Sequence, residues 1–299
     1  MKIFITGGTG FIGQAVVCRL KRAGHQLLVL TKRRGDAKQL FGSSKNIKLA
    51  HGSLIGLKAL EPAIRRFRPT LTIHLAWEGI PDYGAIMSAR NLIYGVNLME
   101  MIGRLGCPVF VGAGSCWEYG ATVGKISEKT PPKPSNPFTA AKLSSQLFGE
   151  QIAAEYGIKF IWARFFYVYG PGQKMISLIP SLIKSAKQGK APELKNPNGG
   201  NDFIYVDDVA EAIARIAQKR AVLPTGIYNI GSGRLTSVRR IVDLVFKYFG
   251  AATRLPSTKQ RPVGFYADIS KLNKATGWRP CTSLEQGIKQ TIKYFQETV

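Results

Sequence analysis

The chain has 299 residues, 45% of them hydrophobic, with 42 Lys and Arg against 18 Asp and Glu, a formal net charge of +24. That length suits one α/β domain with an appended lobe or two modest domains, and the composition is ordinary for a globular protein with a substantial core. No run approaches the roughly 18 apolar residues of a membrane span. Met1 leads straight into a β-rich run, leaving no room for a signal or transit peptide, so a cytoplasmic location is expected. Cys18, Cys107, Cys116 and Cys281 form neither a C-x-x-C pair nor a disulfide framework, which predicts reduced thiols and no metal site. The positive charge attracts anions. Its basic residues are nevertheless spread along the chain, with no long Lys/Arg run or RNA-binding signature, and they read as a generally basic surface rather than a nucleic-acid interface.

Lys2 to Thr6 is a short apolar run suited to a strand buried on both faces of a parallel sheet. Gly7, Gly8, Thr9 and Gly10 follow, and from Phe11 onward apolar residues recur at helical spacing. Gly8, Gly10 and Gly13 thus satisfy G-x-G-x-x-G between a strand and a helix. Glycine lets the backbone approach a pyrophosphate without an intervening Cβ, and the helix start supplies free N–H groups and a positive dipole end. Gly7, Gly10, Phe11, Ile12 and Gly13 are the expected cofactor contacts. A second strand is expected over 26–30. At its end, where NAD-binding versions of this fold place an acid about 20 residues past the glycines, the chain reads Thr31-Lys32-Arg33-Arg34. A carboxylate repels a 2′-phosphate, whereas Arg33 and Arg34 bind one with charge-assisted forks, so NADP is expected over NAD.

Further strands are expected at Ile47–His51, 71–75 and 109–111, with helices at Leu57–Phe67 and 85–105. This alternation predicts a doubly wound parallel sheet, whose ligands lie off the carboxyl ends of the strands. Ala76, Trp77 and Ser115 therefore belong beside the cofactor. A proline-rich approach over 131–137 leads into a helix over 138–156, on which Phe138 and Lys142 share a face. A sixth strand is expected at Lys159–Phe165. Beyond it the alternation weakens into a helix near 176–188, a loop at 197–201, a strand near 203–206 and a helix at 207–219. A segment at Gly226–Ile230, a helix near 237–249 and terminal pieces at 268–276 and 284–296 complete the chain. The expected division is a dinucleotide-binding domain over 1–170 and a smaller α/β substrate lobe over 171–299, with some elements exchanged between them.

The motifs TGGTGFIG (6–13), IHLAW (73–77), GSCWEYG (114–120), NPFTAAK (136–142) and RFFYVYGPGQ (164–173) carry a resemblance. So do NDFIYVDDVAEAI (201–213), GIYNIGSG (226–233), Arg261-Pro262, ADISKL (267–272) and GWRPCTSLEQGI (277–288). In order and spacing the chain resembles, nearly end to end, the extended short-chain dehydrogenase/reductases of the nucleotide-sugar epimerase, dehydratase and ketoreductase group. The resemblance implies a Rossmann-type fold, a nicotinamide cofactor, a nucleotide-sugar substrate and a homodimer formed through two long helices. It also implies a Ser or Thr, a Tyr and a Lys as the reacting set, with Tyr and Lys in Y-x-x-x-K. Ser115 matches the first, and Lys142 matches the last as both catalytic and ribose-gripping residue.

The tyrosine position is Phe138. A positioned acid–base group contributes ~10²–10⁴-fold, so ordinary family chemistry should be severely impaired. Three accounts stand: a catalytic Tyr exchanged for Phe in an inactive variant; another acid, with Tyr119, Tyr167, Tyr169 and Glu118 as candidates; or a non-catalytic NADP-binding regulatory or RNA-associated protein. Cys116 and Trp117 replace the Asp-Glu pair of similar 4,6-dehydratases, which disfavours water elimination. Tyr167 replaces a usual Asn, Asn201 a usual Arg, and Ser53 a usual Asp. Arg261 keeps its family position as a diphosphate contact. Trp77, Ser115, Tyr167 and Arg261 are the expected substrate contacts. The expected activity is NADP(H)-dependent reduction of a nucleotide-linked 4-keto sugar, with a 4-epimerase as the alternative.

Overall fold

The computed structural model describes residues 1–42, 44–192, 194, 196–253, 255 and 260–298, and gives only the backbone of Arg34, Asp36 and Lys38. In chain order, β1 (Lys2–Thr6) leads through the glycine turn into α1 (Phe11–Arg22), β2 (Gln26–Thr31), α2 (Arg34–Phe41) and β3 (Ile47–His51). Next come α3 (Leu57–Phe67), β4 (Leu71–His74), α4 (Ala85–Arg104) and β5 (Val109–Ser115). A single 3-10 turn at Cys116–Tyr119 and the short β6 (Gly124–Ile126) precede α5 (Pro137–Tyr156), β7 (Lys159–Phe165) and β8 (Tyr167–Tyr169). Then follow α6 (Leu178–Lys187), β9 (Gly199–Asn201), β10 (Phe203–Tyr205), α7 (Val206–Lys219) and β11 (Gly226–Ile230). The chain ends with β12 (Thr236–Ser237), α8 (Val238–Tyr248), β13 (Val263–Ala267), α9 (Ser270–Thr276) and α10 (Leu284–Thr298).

Seven strands form one parallel sheet in the order β11-β7-β5-β4-β1-β2-β3. Both faces are covered, as its continuous apolar strands require. Ile3 and Ile5 of β1 point into a core shared with Val16 and Val17 of α1 and Val209 and Ile213 of α7. Phe4, one residue out of phase, points the other way, into a core with Ile64 of α3, Leu98 of α4 and Ile152 of α5. This is the expected doubly wound sheet.

A second sheet runs β12-β9-β13-β6, and β8 pairs with β10. The line at residue 170 crosses both sheets. β11 of the later half pairs with β7 at the edge of the large sheet, while β6 of the earlier half pairs with β13 in the small one. Two local expectations change. The stretch at 197–201, read as a loop, contains β9, which pairs with β12 and β13. β5, expected to end at 111, runs on to Ser115, and its glycines make room for Trp162: a Cβ at Gly112 or Gly114 would lie 2.5 or 2.4 Å from its indole.

α5 has clear local punctuation. Asn136 and Thr139 form a capping box, Pro137 occupies the first turn, and Gly157 closes the helix in the left-handed conformation. Its start, and hence the height of Lys142 beside β5, is set locally.

Candidate active site

The crevice begins where β1 ends. Gly7 takes a φ of 71°, and the N–H of Gly10 donates to its carbonyl at 3.0 Å. A Cβ on Gly7 would lie 2.5 Å from the Ala76 nitrogen, and one on Gly13 would lie 2.0 Å from the Gly7 carbonyl oxygen. The glycines thus serve close packing of the turn against Ala76 and of α1 against the turn. Gly10 caps α1 without a side-chain hydrogen bond, and the first turn, with Phe11 and Ile12, holds no acid. Its unpaired N–H groups and positive end suit a diphosphate. The residues present fit the phosphate half of a dinucleotide.

At the end of β2, Thr31 is buried and its hydroxyl donates to the Arg33 carbonyl at 2.8 Å, leaving the Arg33 side chain exposed. The Arg34 side chain lies outside the described residues. Lys32 is ion-paired at 2.5 Å with Glu78, from the segment after β4. Sequence reading did not register this carboxylate, which comes from a segment distant in the chain.

The other end of the crevice is aromatic. Lys142 on α5 is buried; its ammonium donates to the Ala113 carbonyl at 2.8 Å and lies 3.9 Å from the centre of the Trp77 ring. Burial lowers its pKa to about 7, against an opposing pull from Glu118. Neighbouring His74, hydrogen-bonded to the Thr6 hydroxyl at 2.6 Å, is lowered to about 3 by burial and by Lys142, and stays neutral. The Phe138 ring is buried edge-on against Trp77, Tyr83 and Trp117, with ring centres 5.3, 5.1 and 6.1 Å apart. The Trp117 indole donates to the Tyr167 hydroxyl at 3.0 Å. Ser115 ends β5, and its side-chain oxygen accepts the Trp117 N–H at 3.2 Å. The structure therefore brings Trp77, Phe138 and Lys142 into direct contact, and joins Ser115 and Tyr167 to them through Trp117. Arg261 is exposed two residues before β13 and makes no described contact with this cluster.

Three of the four acids weighed as substitutes for tyrosine are committed elsewhere. Tyr119 is buried and donates to Asn229 at 2.8 Å; the Tyr169 hydroxyl donates to the Leu284 carbonyl at 3.5 Å. Glu118 is fully buried, accepting from the Ser115 N–H at 2.7 Å and from the Arg164 guanidinium at 2.8 Å. Tyr167 remains at the cluster, with its pKa pushed up to about 12 by burial. Tyr83, which no motif marked, joins it; burial raises its pKa as well. Among the described residues no helix is long and apolar enough to cross a membrane, and no group of His, Cys, Asp or Glu could hold a metal ion.

The chain is 28% identical over 321 aligned residues to an Arabidopsis thaliana protein, a trifunctional UDP-glucose 4,6-dehydratase/UDP-4-keto-6-deoxy-D-glucose 3,5-epimerase/UDP-4-keto-L-rhamnose-reductase. The match takes in 99% of this chain but 47% of that protein, so the chain spans about half its length. The fold is similar to a UDP-glucose 4-epimerase of Thermotoga maritima solved with UDP-glucose, with a TM-score of 0.85 and 26% identity over 100% of this chain and 99% of that one. It is also similar to a UDP-glucose 4-epimerase of Thermus thermophilus in complex with NAD, with a TM-score of 0.81 and 26% identity over the whole of both chains. Residues 3–231 match the NAD dependent epimerase/dehydratase family. With the glycine crevice, the doubly wound sheet and the lysine on α5 in place, the chain belongs to that family of extended short-chain dehydrogenase/reductases.

Proposed function

We propose that the chain is an NAD(P)-dependent oxidoreductase of nucleotide-linked sugars, acting as a 4-ketoreductase and preferring NADP. The observation that carries the reading is Lys142, a buried ammonium beside the carboxyl end of β5 at the end of the glycine crevice. When bound, the cofactor supplies or accepts hydride. The glycine turn and the start of α1 hold its diphosphate, and the Ser115 hydroxyl is available to hydrogen-bond a sugar oxygen. The charge of Lys142 favours an ionised acid nearby. Phe138 moves no proton, which leaves Tyr83 and Tyr167 as the phenols of the cluster. Water elimination is disfavoured: Cys116 is a buried thiol whose pKa burial pushes well up, and Trp117 is engaged with Tyr167.

A 4-epimerase using NAD is the second reading. The Thermotoga and Thermus epimerases favour it, and Glu78, from the segment after β4, brings a carboxylate against Lys32 next to the end of β2. The two readings differ in cofactor preference. A charge-assisted hydrogen bond is worth ~1.5–3 kcal/mol, or roughly tenfold or more in affinity. In a fluorescence titration NADPH should therefore bind about tenfold tighter than NADH, and Arg33→Ser should remove most of that difference. Equal or reversed affinities would remove the NADP preference and leave the epimerase reading.

We also propose a homodimer through α4 and α5. The two helices pack on each other and expose Ile86, Ile93, Leu147 and Phe148, at 70, 55, 51 and 52% of their surface. Apolar side chains so far from the core are more readily explained by a covering surface than by solvent. Sedimentation should give twice the chain mass, and Phe148→Asp should give a monomer. A native chain that sediments as a monomer at micromolar concentration would refute the assignment.

A further inference from the structure

We propose that Trp77 is a gate on Lys142: its indole occupies the crevice side of the ammonium, and the nicotinamide half of a dinucleotide docks only when that indole has turned away. The proposal rests on the dinucleotide reading above and concerns how the cofactor's reactive half gains access.

A lysine ammonium has three donors. One is taken by the Ala113 carbonyl at 2.8 Å, and the face of the Trp77 ring lies 3.9 Å from Nζ. Lys142 and Trp77 together also line a small interior cavity between the large sheet and helices α4 and α5, with His74, Asn91, Met99 and Phe160. A ribose hydroxyl cannot come from that interior. It has to come from the crevice, and Trp77 directly follows Ala76, the residue packed against Gly7 of the diphosphate turn. The indole therefore stands between the phosphate end of the crevice and the ammonium.

The geometry also shows which part moves. The backbone next to Trp77 is tied to α4: the Glu78 N–H donates to the Asn91 side chain at 2.7 Å, and the Asn91 amide donates to the Glu78 carbonyl at 3.1 Å. The Glu78 carboxylate is held in turn by Lys32. With the backbone next to Trp77 held by Asn91, opening is a rotation of the indole side chain. The closed rotamer is under tension of its own, because the Trp77 Nε1 is buried without a hydrogen-bond partner. The ammonium–indole contact and the edge-on Phe138 ring, 5.3 Å away, oppose that release. Two states of one side chain follow, with the closed one favoured.

If the open rotamer holds about 10% of the population or less, apparent affinity for the complete dinucleotide falls by about tenfold or more. A fragment lacking nicotinamide is not affected. The test compares each dinucleotide with its fragment by calorimetry on the full chain: NADPH with 2′-phospho-ADP-ribose, and NADH with ADP-ribose. In the unaltered protein each pair should bind within about threefold, since the gate offsets the extra contacts of the nicotinamide half. Trp77→Ala should tighten the dinucleotides about tenfold and leave the fragments within about twofold, while Trp77→Phe, which keeps an aromatic cover, should stay near the unaltered protein. If Trp77→Ala does not fold, the comparison on the unaltered protein decides by itself. A dinucleotide already about tenfold tighter than its fragment overturns the gate. So does a ratio that does not depend on residue 77, or one that Trp77→Ala lowers. Binding of neither member of either pair overturns the dinucleotide reading and the gate together.

Discussion

Phe138→Tyr should raise turnover of nucleotide-linked 4-keto sugars by ~10²–10⁴-fold, the usual contribution of a positioned acid–base group. The ring is already placed. It is buried, its centre lies 5.9 Å from the Lys142 ammonium, and the capping box at Asn136 fixes the helix start that aims it. A phenol there gains what phenylalanine lacks, a transferable proton beside a cation that favours its ionised form. The measurement is the initial rate of NAD(P)H consumption over a panel of such sugars, with near-ultraviolet circular dichroism to show unchanged packing. An unchanged rate in a well-folded variant would move the proton transfer to Tyr83 or Tyr167, the phenols left at the cluster. In that case Tyr83→Phe or Tyr167→Phe should abolish the activity of the unaltered chain. If neither change matters and no sugar is turned over, the chain binds its ligands without this chemistry.

Glu118→Gln should lower stability by about 3–5 kcal/mol, because it leaves the buried Arg164 guanidinium without its counter-charge. Glu118 and Arg164 are 0% and 1% exposed and bonded at 2.8 Å. The guanidinium has few alternatives: Nη2 donates to Gln146, the group stacks on the Tyr119 ring at 4.4 Å, and Nη1 is already unpartnered. The same carboxylate accepts from the Trp162 indole and from the Ser115 backbone, so its loss also loosens the end of β5. For a chain of this size a loss of that order shifts the melting midpoint by on the order of 10 °C. Replacing both partners with apolar residues, Glu118→Leu with Arg164→Met, removes the unpaired charge but leaves the Trp162 indole, the Ser115 N–H and the Gln146 side chain without these partners, so it should recover only part of the loss. A midpoint within a degree or two for Glu118→Gln alone would show that the pair is not held as described.

The glycine turn after β1 was legible because its signals are local. Gly7, Gly10 and Gly13 are needed at fixed spacings within one turn, and contact distances below 3 Å at Gly7 and Gly13 show why no other residue fits there. The reaction end was legible only as a list of positions. Ser115, Phe138 and Lys142 could be named from the family resemblance, but not what surrounds them. Glu118 was one of four candidates for the acid that Phe138 lacks. It is instead the structural partner of Arg164, 46 residues away, and β5 must be paired with β7 before the two can meet. Tyr83 and Glu78 had no motif to mark them.

What the sequence by itself determined is most of the strands and helices of the large sheet and the glycine turn between β1 and α1. Apolar periodicity, capping residues and glycine spacing act over a few residues and need no partner. The tertiary structure decided the remainder. It carried β11 across to β7 and β6 to β13, so that neither sheet is built from one half of the chain. It turned Glu118 inward and brought Trp77 of the segment after β4 onto Lys142 of α5. Such contacts join residues far apart in the chain, and their energies depend on burial and on the direction of a side chain, neither of which exists until the sheet has formed.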